Sequence, residues 1–176
     1  FHAGLREVIN YSFISENLCE QTGFLIPELV KLKNPISEEM KVLRPSLLPG
    51  LVQNLSYNLN RNASSLKLFE VGKTFISDEN QEMKVREFPY AAALLSGRRS
   101  QSLWQGESDF VDFYYAKGLV EALVRQLTTV YLSFEPLDHP LFHPKKSAKI
   151  KLGLKDVGYL GEIHPHLQHS FLETQE

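Results

Sequence analysis

Two stretches decide the fold: Leu43-Arg44-Pro45-Ser46-Leu47-Leu48-Pro49-Gly50-Leu51 and, after a polar break, Leu66-Lys67-Leu68-Phe69-Glu70-Val71-Gly72-Lys73-Thr74-Phe75. Ser46 is placed to cap a helix, and Pro49 falls in its first turn, where a missing N–H is harmless. Leu48, Val52, Leu55 and Leu59 follow at helical spacing, predicting a helix over 47–60 with that stripe inward. Leu47, Leu51 and Tyr57 lie off the stripe. The second stretch reads as a long strand. Arg44 and Glu70 are charged residues set in apolar surroundings, candidates for buried, hydrogen-bonded structural roles, with Arg44 directed to strand carbonyls or to an acid.

Working outward, residues 7–14 (Glu7-Val8-Ile9-Asn10-Tyr11-Ser12-Phe13-Ile14) are rich in β-branched and aromatic side chains and read as one strand. Ser15 can cap a short helix through Thr22, which Gly23 would end. Residues 29–32 form a further short strand before the Asn34-Pro35 turn. Downstream, 77–87 is a polar insertion, 88–96 a strand apolar enough to be buried on both faces, and 97–108 a loop with the one tryptophan, Trp104. Asp112 can cap a helix in which Leu119, Leu123 and Leu127 recur. Residues 131–137 return as strand. Ala148, Ile150, Leu152 and Leu154 alternate with Lys149, Lys151, Gly153 and Lys155, the pattern of a half-buried antiparallel strand, with 158–164 as its hairpin partner. Pro165 opens a last helical turn. The expected architecture is one α+β domain over 1–176 with a mostly antiparallel sheet flanked by helices.

The chain has 176 residues, 43% apolar and 23% charged, with a net charge of -2. That is an ordinary globular mix of one-domain size, without the basic excess of a free-standing nucleic-acid binder. A single cysteine, Cys19, excludes an internal disulfide and a CxxC zinc site. No signal peptide is legible at the start, and no apolar run reaches the roughly 20 residues that span a bilayer. A soluble, cytoplasmic protein is expected, one that is a piece of a longer chain because Phe1 is not a start methionine.

Common nucleotide and nucleophile signatures are absent: there is no GxGxxG, no loop ending in Gly-Lys-Ser/Thr, and no GxSxG. His139, His143, His164, His166 and His169 raise the alternative of a metal-dependent hydrolase. However, three of them precede proline, which favours extended backbone over one ligating helical face. Lys145, Lys146, Lys149 and Lys151, with Lys155, form the dense basic strip. It is a candidate RNA-backbone contact, and would be the binding surface of a stand-alone nucleic-acid module. The competing reading is a solvated strand face whose lysines discourage edge pairing.

The order Leu43-Arg44-Pro45, helix, then strand resembles the core of class II aminoacyl-tRNA synthetases, where the strand ends in Phe-Arg-x-Glu and the arginine binds the α-phosphate of ATP. Here Phe75 is followed by Ile76. The resemblance is closest to the bacterial phenylalanyl-tRNA synthetase β subunit. It is carried by residues 7–13, Asn34-Pro35-Ile36-Ser37-Glu38-Glu39-Met40, residues 43–51, Tyr57-Asn58-Leu59-Asn60-Arg61, Leu68-Phe69-Glu70-Val71-Gly72, Val111-Asp112-Phe113 through Lys117-Gly118, and Gly161-Glu162-Ile163-His164-Pro165. It departs at Pro45 and at Lys145-Lys146. The resemblance implies the non-catalytic class II-like module of a subunit in an (αβ)2 heterotetramer. That enzyme joins phenylalanine to tRNA(Phe) with ATP and magnesium, the active site lying in the α subunit. It assigns no catalytic, cofactor or metal residue to this segment. Tyr11, Leu47, Leu51 and Tyr57 are candidates for the surface that meets the α subunit.

Overall fold

The computed structural model describes residues 3–21, 29–81, 83–99 and 109–168. The expected helix end at Thr22 and Gly23, the Trp104 loop and His169 lie outside these. The chain divides into two compact units, meeting at Leu94 and Leu95.

In the first unit, β1 (Arg6–Glu7) runs parallel to β4 (Leu66–Ser77), with Arg6 opposite Leu68 and Glu7 opposite Phe69. The Val8 N–H still donates to the Phe69 carbonyl at 2.9 Å. Two residues on, the Asn10 N–H donates to the Glu70 side chain instead, at 3.2 Å, and the ladder ends. The chain then joins another sheet, where β2 (Phe13–Ile14) pairs antiparallel with β3 (Val42–Leu43). The single strand expected over 7–14 is therefore two, because a side chain takes the place of the next backbone acceptor. Residues 29–32 lie along the far side of β3, through a bridge from Lys31 to Val42 and a 2.9 Å bond from the Leu43 N–H to the Val30 carbonyl. Ser15 accepts from the Leu18 N–H at 3.1 Å and caps α1 (Glu16–Gln21). Ile14, Leu18, Cys19 and Val42 form a small core with Leu29 packed against it.

α2 (Leu48–Leu59) carries Pro49 in its first turn, and the Ser46 hydroxyl accepts from the Leu48 N–H. Its buried edge is Pro49, Gly50, Leu51, Val52 and Ser56, whereas Leu48, Leu55 and Leu59 are half-buried. The inward face is thus rotated from the expected one. Leu47 lies beside the Arg44 guanidinium over Gly72 of β4, and Leu51, one turn on, is buried with it. On β4, Leu66, Leu68, Glu70 and Thr74 point inward. β5 (Val85–Ser96), at the edge of the β1–β4–β5 sheet, buries Leu94 alone rather than both of its faces.

In the second unit, Asp112 caps α3 (Phe113–Leu127), accepting from the Tyr115 N–H at 2.7 Å. Leu119 and Leu123 are half-buried, but Leu127 is exposed. β6 (Leu132–Pro136), β7 (Phe142–Leu152) and β8 (Lys155–Ile163) form an antiparallel sheet in chain order. Ala148 and Ile150 are its buried centre. Leu154, expected to continue the buried alternation, is in solvent. The pairing of Leu152 with Lys155 leaves Gly153 and Leu154 as a two-residue hairpin turn, and Gly153 takes the positive φ of 61°. After β8, residues 165–168 make the short helical turn that Pro165 opens.

Candidate functional site

The best-defined polar constellation joins three segments distant in sequence. Arg44, at the end of β3, donates from Nη1 to Glu70 Oε1 at 2.5 Å and from Nε to the Lys73 carbonyl at 3.0 Å. Side-chain exposures of 7% and 2% make this a buried ion pair. Asn10 donates from Nδ2 to Glu70 Oε2 at 2.8 Å and accepts at Oδ1 from Asn54 of α2 at 2.7 Å. Asn54 also donates to the Gly50 carbonyl at 2.8 Å, and Asn58 donates to the Asn54 carbonyl at 2.7 Å. Both Glu70 oxygens are therefore satisfied, the condition under which a buried carboxylate is tolerable. Two glycines make room. A Cβ at Gly72 would collide with the Arg44 guanidinium, and one at Gly50 would press on the Asn10 amide. Sequence reasoning singled out Arg44 and Glu70 but missed Asn10, Asn54, Gly50 and Gly72. Gly72, alone inside a strand pattern, was the available signal, since such a glycine often marks close approach of another group.

Further along β4, Ile76 is a half-buried aliphatic side chain. Lys73, the nearest cation before it on the strand, is held by Glu87 of β5 at 2.6 Å. Position 76 itself carries no charge, and among the described residues no three His, Cys, Asp or Glu side chains gather to hold a metal.

Among the interface candidates, Tyr11 is 76% and Tyr57 51% exposed, the latter with Arg61 stacked 3.4 Å over its ring. Leu47 and Leu51 are buried at 2% and 0%, and are corrected to core residues. In the basic strip, Lys146 pairs with Glu162 at 2.7 Å, Lys149 with Asp156 at 3.0 Å and Lys151 with Glu135 at 3.0 Å. The Glu135 hydrogen bond and charge raise the Lys151 pKa. Three of the four lysines thus stand beside carboxylates, which cancels much of the field that would attract a phosphate backbone. Lys145 is exposed. His139, His143 and His164 each accept at Nδ1 from a backbone N–H two residues on, at Leu141, Lys145 and His166. His166 stacks on His164 at 5.2 Å. His139, His143 and His164 thus tie down their own His-Pro turns, and His139 also stacks on Tyr159.

A mixed α+β chain built on this hairpin has a counterpart among solved structures. A pyrrolysyl tRNA synthetase of Desulfitobacterium hafniense aligns over 96% of this chain and 56% of its own, with a TM-score of 0.63 at 16% identity. The fold is that of a class II aminoacyl-tRNA synthetase core. Within that class, the chain belongs to the phenylalanyl tRNA synthetase beta chain CLM domain family, whose model matches residues 1–172. Phenylalanine–tRNA ligase beta subunits are similar to it throughout. That of Fusobacterium nucleatum is 40% identical over 96% of this chain and 21% of its own length. That of Bacillus subtilis is 37% identical over 94% and 21%, and that of Haemophilus ducreyi 37% over 92% and 20%. The chain spans about a fifth of the length of these relatives.

Proposed function

We propose that residues 1–176 are one non-catalytic class II core module of a longer β subunit. In this reading the module binds the α subunit of a phenylalanine–tRNA ligase, an (αβ)2 heterotetramer that charges tRNA(Phe) in the cytoplasm using ATP and magnesium held elsewhere. Ile76 carries the reading. Adenylate formation builds negative charge on the α-phosphate, and only a preorganised positive group at that point lowers its energy. An aliphatic side chain there removes the chemistry, while the Arg44–Glu70 frame around it keeps the hairpin in place. What such a hairpin still offers is surface. Tyr11 and Tyr57, large and exposed in the first unit, are the side chains proposed to meet the α subunit. No helix among the described residues is long and apolar enough to cross a membrane.

The experiment has two parts. The purified chain is expected to give no phenylalanine-dependent ATP–pyrophosphate exchange, and activity that survives removal of contaminating synthetase would refute catalytic silence. Tyr11→Glu and Tyr57→Glu are expected to keep the circular dichroism of the parent and to weaken capture by the α subunit at least about tenfold, or ~1.4 kcal/mol. Unchanged capture for both would exclude this surface.

A further inference from the structure

Three His-Pro turns meet at one end of the β7–β8 ladder in the second unit. In each, the imidazole Nδ1 accepts the backbone N–H two residues on: His139 from Leu141 at 3.2 Å, His143 from Lys145 at 3.2 Å and His164 from His166 at 3.4 Å. Two of the turns are joined through Leu141, whose carbonyl accepts from the His164 N–H at 2.9 Å. The third, at His143, directly follows Phe142, which pairs with Ile163 and donates its N–H to the His139 carbonyl at 3.0 Å. The His139 ring stacks on Tyr159 at 5.8 Å and stands 5.6 Å from the Phe142 ring. Between them the turns hold down Leu141 and Phe142, which are 1% and 8% exposed. The register shifts between Phe142 and Ser147, so the stretch 143–146 separates this end from the ladder that resumes with Ser147 opposite Gly161.

We propose that these turns form an acid-released clasp, closed by neutral His139, His143 and His164 and opened when they take up a proton. An Nδ1 that accepts leaves the ring proton of a neutral imidazole on Nε2, whereas a protonated imidazole donates from both nitrogens and accepts nothing. Protonation thus sets each Nδ1 against the N–H it had accepted from, and the N–H of buried Leu141 loses its acceptor. Histidine makes this change between about pH 5 and 8, so the clasp is closed on the alkaline side of that range and lost on the acid side. Opening frees 139–146 and 164–168, while the ladder from Ser147 onward keeps its bonds. The charged groups on the surrounding elements are already matched: Lys146 with Glu162, Lys149 with Asp156 and Lys151 with Glu135 across the sheet, and Lys117 and Arg125 with Glu121 on α3. Next to the three rings stand Asp138, Lys145, Tyr159 and His166. Tyrosine and lysine ordinarily change charge well above the histidine range and carboxylates below it.

The test is hydrogen exchange by mass spectrometry on the complete β subunit in its assembly, at about pH 8 and about pH 5, with exchange times scaled for the intrinsic pH dependence of amides. Peptides over 139–146 and 164–168 are expected to lose protection at least about tenfold on the acid side, and 148–152 to keep it. A second arm carries His139→Asn, His143→Asn and His164→Asn together. Asparagine Oδ1 accepts from the N–H two residues on, as in an Asx turn, but does not titrate. This variant is expected to hold equal protection at both pH values. The wild-type comparison stands by itself: protection of 139–146 that acid leaves unchanged, or that falls together with 148–152, overturns the inference. So does an acid loss that persists in the asparagine variant.

Discussion

Arg44 and Glu70 show how far one charged pair can govern a core. Each satisfies the other, and Arg44 also holds the Lys73 carbonyl. Arg44→Ala or Glu70→Ala leaves a buried charge without its partner, and each is expected to lower the unfolding free energy in urea by about 3–5 kcal/mol. Replacing both by methionine removes both charges and is expected to cost less than either single change. Cys19 makes a second residue-scale prediction. Burial first, then the charges of Glu16 and Glu20, push its thiol pKa up to about 11. In the unfolded chain a thiol ionises near about 8.5, so the unfolded state loses its proton first as pH rises. The Cys19 contribution is therefore complete below about pH 8 and is lost as pH climbs toward about 11. A Cys19→Ala variant is expected to lack that alkaline decline in unfolding midpoint, and the wild-type thiol to react slowly with iodoacetamide at pH 8.

At the scale of elements, two glycines make opposite predictions. Gly118 lies exposed within α3 with nothing near where a Cβ would point, so Gly118→Ala is expected to stabilise by about 0.5–1 kcal/mol. Gly161 of β8 lies under the Phe142 ring, with a Cβ only 2.7 Å from ring carbons. Gly161→Ala is expected to destabilise by about 1–3 kcal/mol, as overpacking does, and thermal melts of the two variants check both signs. The elements themselves were largely legible. Ser15 and Asp112 announce the helices they cap, and the Ala148–Ile150 alternation gives β7 its buried face. What periodicity could not supply was orientation. The leucines of α2 make a broad stripe, and spacing alone does not say that Leu47 and Leu51 are the ones buried. Nor could it reveal that a carboxylate on β4 would interrupt the strand at Asn10, because that depends on a partner 60 residues away. Of the candidate site, Arg44 and Glu70 were readable as charges among apolar neighbours, whereas Asn10 and Asn54 look in sequence like any polar surface residue.

At the scale of the whole molecule, the residues of the Arg44 network all fall in the first unit and the β6–β7–β8 sheet in the second. Damage to the Arg44 network is therefore expected to stay local. In hydrogen exchange on Arg44→Ala, amides of β4 and of 42–59 are expected to lose protection, while those of β7 and β8 keep theirs. Loss of protection in both regions together would show that the chain unfolds as one cooperative body. The class II core itself was legible from the order of segments, since Leu43-Arg44-Pro45, α2 and β4 follow one another as in that class. The two-unit division was not, because β5 runs unbroken across the boundary and no change of composition marks it.

The bonds that close on Glu70 span 26 residues to Arg44 and 60 to Asn10, so they also set an order in time. Closing such loops costs entropy before any contact repays it. If β4 and β5 zip first as a local hairpin, Glu70 is expected to keep its hydration until Arg44 and Asn10 arrive. The network is therefore expected to close late on the folding route, as a latch rather than a nucleus. Asn10→Ala should leave the refolding rate nearly unchanged and raise the unfolding rate, so that the pair chiefly sets how long the folded chain lasts.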